Sequence, residues 1–80
     1  MKGPLPQMVE IDTRPPTPDE CRALERHTGI VFAEITTDRD RFVDLMQAIV
    51  WITLHRGGYE PTWEDAGGVV VLPPGWDGPR

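Results

Sequence analysis

The segment QAIVWITLHRGGYEPTWEDAGG, residues 47–68, constrains the fold of this chain more than any other part of it. No charged residue occurs from Ala48 to Leu54, and Arg56 and Gly57 then provide a basic last turn and a helix stop. We therefore predict that residues 39–56 form the main helix. A helix that is apolar on all sides is buried on all sides, and a chain of 80 residues has little material to cover it.

A second helix is predicted over residues 18–28 from its start and stop signals. Thr17 and Glu20 have the spacing of a capping box, and Pro18 occupies the first helical position. Gly29 is placed to end the helix as a left-handed cap. This helix comes shortly before the main one, so the two are expected to pack together.

The remaining apolar segments are short. Thr62 and Asp65 repeat the capping-box spacing before a helix of little more than one turn. Residues 30–35 are compatible with a strand or a helical turn by their periodicity, and we favour the turn because helices flank it. Residues 69–72 would suit a strand, but a lone strand has no partner, so we expect an extended packing segment or an intermolecular edge.

These elements predict an all-α fold of two main helices and a short third helix, with extended arms rich in proline and glycine. The boundaries are a flexible arm at residues 1–16, a helical domain at 17–68 and an extended tail at 69–80. The chain has nine prolines and eight glycines, concentrated at the two ends. About 55 residues are left to form a core, a size that commonly needs help from association, so we expect self-association or a partner.

The charge excludes several classes of function. The net charge is −5 and Lys2 is the only lysine, so the basic face that phosphate binding requires is missing and no nucleic-acid partner is expected. The apolar run of the main helix is too short to span a bilayer, and the N-terminus has no hydrophobic signal region. We expect a soluble cytosolic protein that does not bind membranes.

No residue pattern indicates catalysis, a metal or a cofactor. His27 and His55 lie near the ends of two helices, where a cation is favourable, and both are interpreted as helix-end or packing residues. Cys21 is the only cysteine, so it forms no internal disulfide and no zinc site is expected. We predict a protein that is not an enzyme.

The order of motifs resembles one known family. TPDECRALERHTGI at residues 17–30, followed by LMQAIVWITLHRGGYEPTWEDAGG at residues 45–68, is similar to the small tail assembly chaperones of long-tailed bacteriophages. Members typically carry a capped helix, then a helix of the form LxALVWxxLRR, then a P-x-x-T-W/F-E-E/D-A/V motif. The resemblance covers about residues 17–68, and its most specific part is the run Ala48–Trp51 followed by Arg56 and by Thr62–Ala66.

The resemblance implies a non-enzymatic role in the host bacterial cytoplasm. Such chaperones bind the long helical tape measure protein and keep it soluble while tail tube subunits polymerise around it. Methionine and aromatic side chains adapt to imperfect partner surfaces. The expected partner-binding residues are Phe42, Leu45, Met46, Ile49, Trp51 and Trp63, some of which must also form the core of the chaperone.

A different class of function stays open at this point. A small regulatory or adaptor protein could fold a flexible arm onto a host or phage target. In that case residues 4–16 or residues 69–76 would carry the affinity. Removal of the arms separates the two hypotheses, because an adaptor loses its partner while a chaperone that uses a helix face keeps it.

Overall fold

A computed structural model of the chain describes residues 5–12 and 14–72. The protein is mostly helical, as the sequence predicts, and a short two-stranded sheet accompanies the helices. The parts of the predicted arms at residues 1–4 and 73–80 lie outside the described residues. In chain order the elements are β1 (Met8–Glu10), α1 (Pro18–Thr28), α2 (Phe32–Thr36), a 3-10 turn (Arg39–Arg41), α3 (Phe42–Arg56), α4 (Trp63–Gly67) and β2 (Val70–Leu72).

Both predicted capping boxes are confirmed. The Thr17 hydroxyl accepts from the Glu20 N–H at 3.2 Å, and the Thr17 N–H donates to the Glu20 carboxylate at 2.8 Å. Thr62 and Asp65 exchange the same two bonds at 3.0 Å each at the start of α4. Gly29 closes α1 with φ of +78°, the left-handed conformation predicted for it.

The segment after Gly29 is helical, as we favoured, because α2 forms one tight turn between α1 and the main helix. Asp38 then begins the next element, since its carboxylate accepts from the Asp40 N–H at 3.0 Å. The chain makes one 3-10 turn before α3 starts at Phe42, three residues later than predicted. Helix ends of this kind commonly pass through 3-10 geometry.

The core is built around α3, which every other helix contacts. Leu24 of α1, Ile35 of α2 and Ala66 of α4 each contribute one buried side chain, and the remainder come from α3. The uncharged part of α3 is therefore surrounded within a single chain. Its buried residues are Ala48, Val50, Trp51, Ile52 and Leu54.

The all-α prediction is wrong in one respect, because β1 and β2 form a parallel pair with Met8 opposite Val70. The pairing continues beyond β1, where the Ile11 N–H donates to the Leu72 carbonyl at 3.2 Å. The Val70–Leu72 strand thus finds its partner in the proline-rich N-terminal segment. A three-residue partner between prolines shows no strand period, so the sequence does not predict this pairing.

The N-terminal segment is also fastened to α3 beyond the sheet. The Asp12 N–H donates to the Thr53 hydroxyl at 3.2 Å, and the Arg56 guanidinium donates to the carbonyls of Arg14 and Pro15 at 3.2 and 3.1 Å. The sequence predicts the extended backbone here but not its attachment. This segment supplies the cover for α3 that the helices alone do not provide.

Candidate partner-binding surface

The first turns of α3 carry an exposed apolar patch. Phe42 is 62 % exposed, Val43 is 72 % exposed and Met46 is 37 % exposed. Phe42 and Val43 both lie beside Met46, because residues three and four apart are neighbours on the surface of a helix. We call these three residues the α3 patch. Contiguous apolar residues on the surface of a soluble domain mark sites of protein interaction.

The α3 patch continues into a shallow groove of about 170 Å³ between α3, α4 and β2. The buried side chains Val50 and Ala66 form part of its lining, and Gln47 is held at its side by a 2.7 Å hydrogen bond to the Trp63 carbonyl. Its walls are almost entirely apolar. The lining residues are Val43, Met46, Gln47, Val50, Ala66, Gly67, Val69 and Val71.

The structure separates the six predicted partner-binding residues into four groups, of which the fourth is Trp51 alone. Phe42 and Met46 are exposed in the α3 patch, whereas Leu45 and Trp63 are half-buried against the core. Ile49 is half-buried and lines a different cavity, next to the N-terminal segment. The predicted set is therefore not one continuous surface.

Trp51 is placed in the core instead of on a binding surface. It is only 1 % exposed, and its indole N–H donates to the Pro61 carbonyl at 2.9 Å. The ring stacks on His55 with centroids 5.0 Å apart, and His27 lies 5.9 Å away. Trp51 has no surface to offer a partner in this conformation. His55 is half-buried where it stacks on the ring, whereas His27 is exposed.

The structure also adds residues to the surface that the sequence analysis did not select. Val43 is the most exposed of the large apolar residues of the patch, and Val69 and Val71 line the groove. In the sequence, Val43 lies next to the apolar stripe of α3, and this position indicates that it belongs to an interaction face. Val69 and Val71 gave no comparable signal, because their position depends on how β2 pairs.

In the described part of the chain most arginines form ion pairs, whereas most carboxylates do not. Arg41 pairs with Asp44 at 3.0 Å next to the α3 patch. Arg56 pairs with Glu20 at 2.6 Å and with Asp12 at 3.1 Å, and Arg14 also pairs with Asp12. Because so many arginines are neutralised, the free charges on this acidic chain are mainly carboxylates, which favours solubility.

Chemistry at the remaining polar groups is limited. Burial raises the pKa of the Cys21 thiol, and the nearby Glu20 carboxylate raises it further. A thiol with a raised pKa is a poor nucleophile because the thiolate is the reactive form. Within residues 5–12 and 14–72, no group of three His, Cys, Asp or Glu side chains is arranged to hold a metal ion.

No helix in the described part of the chain is both long enough and apolar enough to cross a membrane.

The comparisons with known proteins give no family assignment. The chain matches no protein-family model, no curated protein and no solved structure. The function is consequently to be inferred from the α3 patch, the groove and the motifs of the sequence.

Proposed function

We propose that the chain is a non-enzymatic tail assembly chaperone of a long-tailed bacteriophage, acting in the host bacterial cytoplasm. Its partner is the tape measure protein, which it keeps soluble while the tail tube forms. The observation that carries the proposal is the exposed α3 patch of Phe42, Val43 and Met46. A small acidic domain with one apolar face open to solvent has the surface that a helix-binding chaperone requires.

The groove beside the patch suits an amphipathic helix. Such a helix lays its apolar side chains into an apolar groove at spacings of three and four residues. Met46 links the patch to the groove, and a methionine adapts to successive partner side chains because its side chain is unbranched and flexible. These properties support binding of many similar helical segments along one long partner.

Self-association and contact with tail tube subunits are part of the same proposal. A chain of this size covers a long helix only if several copies act together, so we expect oligomers on the tape measure protein. Tail tube subunits displace the chaperone as they assemble. The exposed half of α3 is the surface available for either contact.

The adaptor hypothesis has less support. It requires the N-terminal or the C-terminal segment to be available for folding onto a target, yet Met8–Glu10 and Val70–Leu72 pair with each other. Arg56 and Thr53 hold the segment after β1 on the helical domain as well. Use of either segment by a target would first require these contacts to break.

The direct test is coexpression with the tape measure protein encoded by the same genome. We expect the chain to increase the soluble fraction of that protein and to copurify with it. Phe42→Asp and Met46→Asp place a charge in the α3 patch and should each reduce copurification by at least ten-fold, because an unpaired charge is costly to desolvate at an apolar interface.

Met8→Asp is the matched control for these variants. Met8 is 47 % exposed in β1 and belongs neither to the α3 patch nor to the lining of the groove, so the same change in charge should leave copurification intact. Circular dichroism verifies that all three variants are folded. Equal solubility of the tape measure protein with and without the chain would exclude the chaperone role.

A further inference from the structure

An apolar cavity lies on the other flank of α3 from the groove. Its volume is about 300 Å³. Ile49 and Ile52 of α3 and Phe32 of α2 form one side, and Ile11, Pro15 and Pro16 of the N-terminal segment form the other. Ligand pockets in proteins start at about 300 Å³, so this volume suits one ring-sized group.

The N-terminal segment that forms one wall is fixed at both ends. The sheet holds it before Ile11, and the Arg56 guanidinium holds the carbonyls of Arg14 and Pro15 after it. Arg56 is in turn oriented by two bonds to the Glu20 carboxylate, at 2.6 and 2.8 Å. The cavity is therefore a preformed feature of the folded domain.

The charges at the mouth of the cavity neutralise one another. Asp12 pairs with Arg14 and Arg56, and Arg56 also pairs with Glu20. Two guanidinium groups thus face two carboxylates, so the site offers no net charge to a charged ligand. An uncharged apolar group is the complementary occupant of the cavity.

Arg14 adds a hydrogen-bonding feature to the rim. Its side chain is 73 % exposed, and only Nε and Nη2 bond to Asp12. A guanidinium carries five N–H donors, and among the described residues the Nη1 donors of Arg14 have no acceptor. These donors face solvent, and a neutral acceptor next to the apolar occupant, such as a backbone carbonyl, can replace the water on them.

We propose that this cavity binds an uncharged apolar side chain of a partner polypeptide, with Arg14 donating to the adjacent backbone carbonyl of that partner. The site is separate from the α3 patch and does not depend on the chaperone proposal. Ile49 lines this cavity and is not part of the α3 patch. The N-terminal segment forms one wall of the cavity and so takes part in binding the partner.

The test is a titration of the full chain, labelled with ¹⁵N, with N-acetyltryptophanamide, followed by NMR. This probe presents an indole ring between neutral amide carbonyls. We expect saturable shifts of the amide signals of Ile11, Phe32, Ile49 and Ile52. Shifts confined to the groove residues Val43, Met46, Gln47, Val50, Val69 and Val71, or no saturable shifts, would overturn the proposal.

Two variants fill the cavity, and a variant at a neighbouring residue serves as the control. Phe32→Trp and Ile49→Trp add volume from two different helices and should each abolish the saturable shifts, while Ala33→Trp adds the same ring at an exposed neighbour and should preserve them. Circular dichroism confirms folding, and if one filled variant fails to fold, the other decides. Binding that survives in a folded, filled variant would contradict the assignment.

Further probes test the chemistry of the occupant. Arg14→Ala should weaken N-acetyltryptophanamide binding about five-fold, the effect of losing one ordinary hydrogen bond, and should not change the weaker binding of free indole. N-acetyltryptophan adds a carboxylate and should bind no better than the amide. Tighter binding of the carboxylate, or binding of indole without binding of the amide, would refute the proposed polypeptide ligand.

Discussion

Two aromatic residues of α3 show that position along the helix decides whether an aromatic side chain is buried or exposed. Phe42 and Trp51 both belong to the apolar side of the helix, yet the first is 62 % exposed and the second 1 % exposed. The sequence predicts that both are core or interface residues. It does not distinguish them, because exposure depends on which part of α3 the other elements reach.

Trp51 is expected to be the residue on which the stability of the domain depends most. Trp51→Phe keeps an aromatic ring but removes the N–H that donates to the Pro61 carbonyl at 2.9 Å. Loss of a buried hydrogen-bond partner costs about 1–3 kcal/mol, and the smaller ring adds a packing defect. The free energy of unfolding in urea, followed by circular dichroism, should fall by at least about 1 kcal/mol.

A chemically similar change outside the core provides the comparison for Trp51. Trp63→Phe alters a half-buried side chain at the start of α4. We expect a smaller loss of stability than for Trp51→Phe, because less of the ring is removed from solvent. If the two variants unfold at the same urea concentration, the buried hydrogen bond to Pro61 contributes nothing measurable.

At the scale of elements, local signals predicted most of what the structure contains. The capping boxes at Thr17 and Thr62 and the glycine stop at Gly29 are fixed by residues close in sequence, so they were readable directly. The ion pair between Arg56 and Glu20 joins the end of α3 to the start of α1. It was not predicted, because it depends on how the two helices cross.

The Glu20–Arg56 contact predicts how stability depends on pH. Hydrogen bonds from Arg56 lower the pKa of Glu20 from its usual 4.5 to about 2, and hydrogen bonds from Arg14 hold the pKa of Asp12 well below its usual range. Between pH 4.5 and 2 the unfolded chain binds a proton at Glu20 that the folded chain does not. Acid therefore favours unfolding in this range, and the contribution is fully present above it.

Urea unfolding at a series of pH values from 6 to 2 measures this effect. The free energy of unfolding should fall as the pH decreases, by at most about 1.4 kcal/mol per pH unit from Glu20. Glu20→Gln keeps an oxygen that can accept from the Thr17 N–H but removes the titrating group, so its profile should be less steep. Arg56→Gln should flatten the profile in the same way. Unchanged steepness in both variants would show that the contact does not link pH to stability.

At the scale of the whole molecule, the sequence does not predict the parallel pairing of β1 with β2, which joins the N-terminal segment to the segment after α4. Parallel strands require a long crossover connection, and here the entire helical domain lies between β1 and β2. Such pairing is specified by contacts between residues distant in sequence. Neither Met8–Glu10 nor Val70–Leu72 has enough residues to show a strand period, so their register became evident only in the folded chain.

The pairing of β1 with β2 predicts that the N-terminal segment unfolds together with the helices. Val9 is half-buried and packs on the core, whereas its neighbour Met8 is 47 % exposed. Val9→Asp should lower the free energy of unfolding by about 1.5–3 kcal/mol, because it exposes an apolar contact and places a charge at the edge of the core. Met8→Asp should change it by less than about 0.5 kcal/mol. Urea unfolding measures both, together with hydrogen exchange of the Val70 amide, which donates to the Gln7 carbonyl at 2.9 Å. A Val9→Asp variant with unchanged stability and exchange would mean that the segment folds independently of the helices.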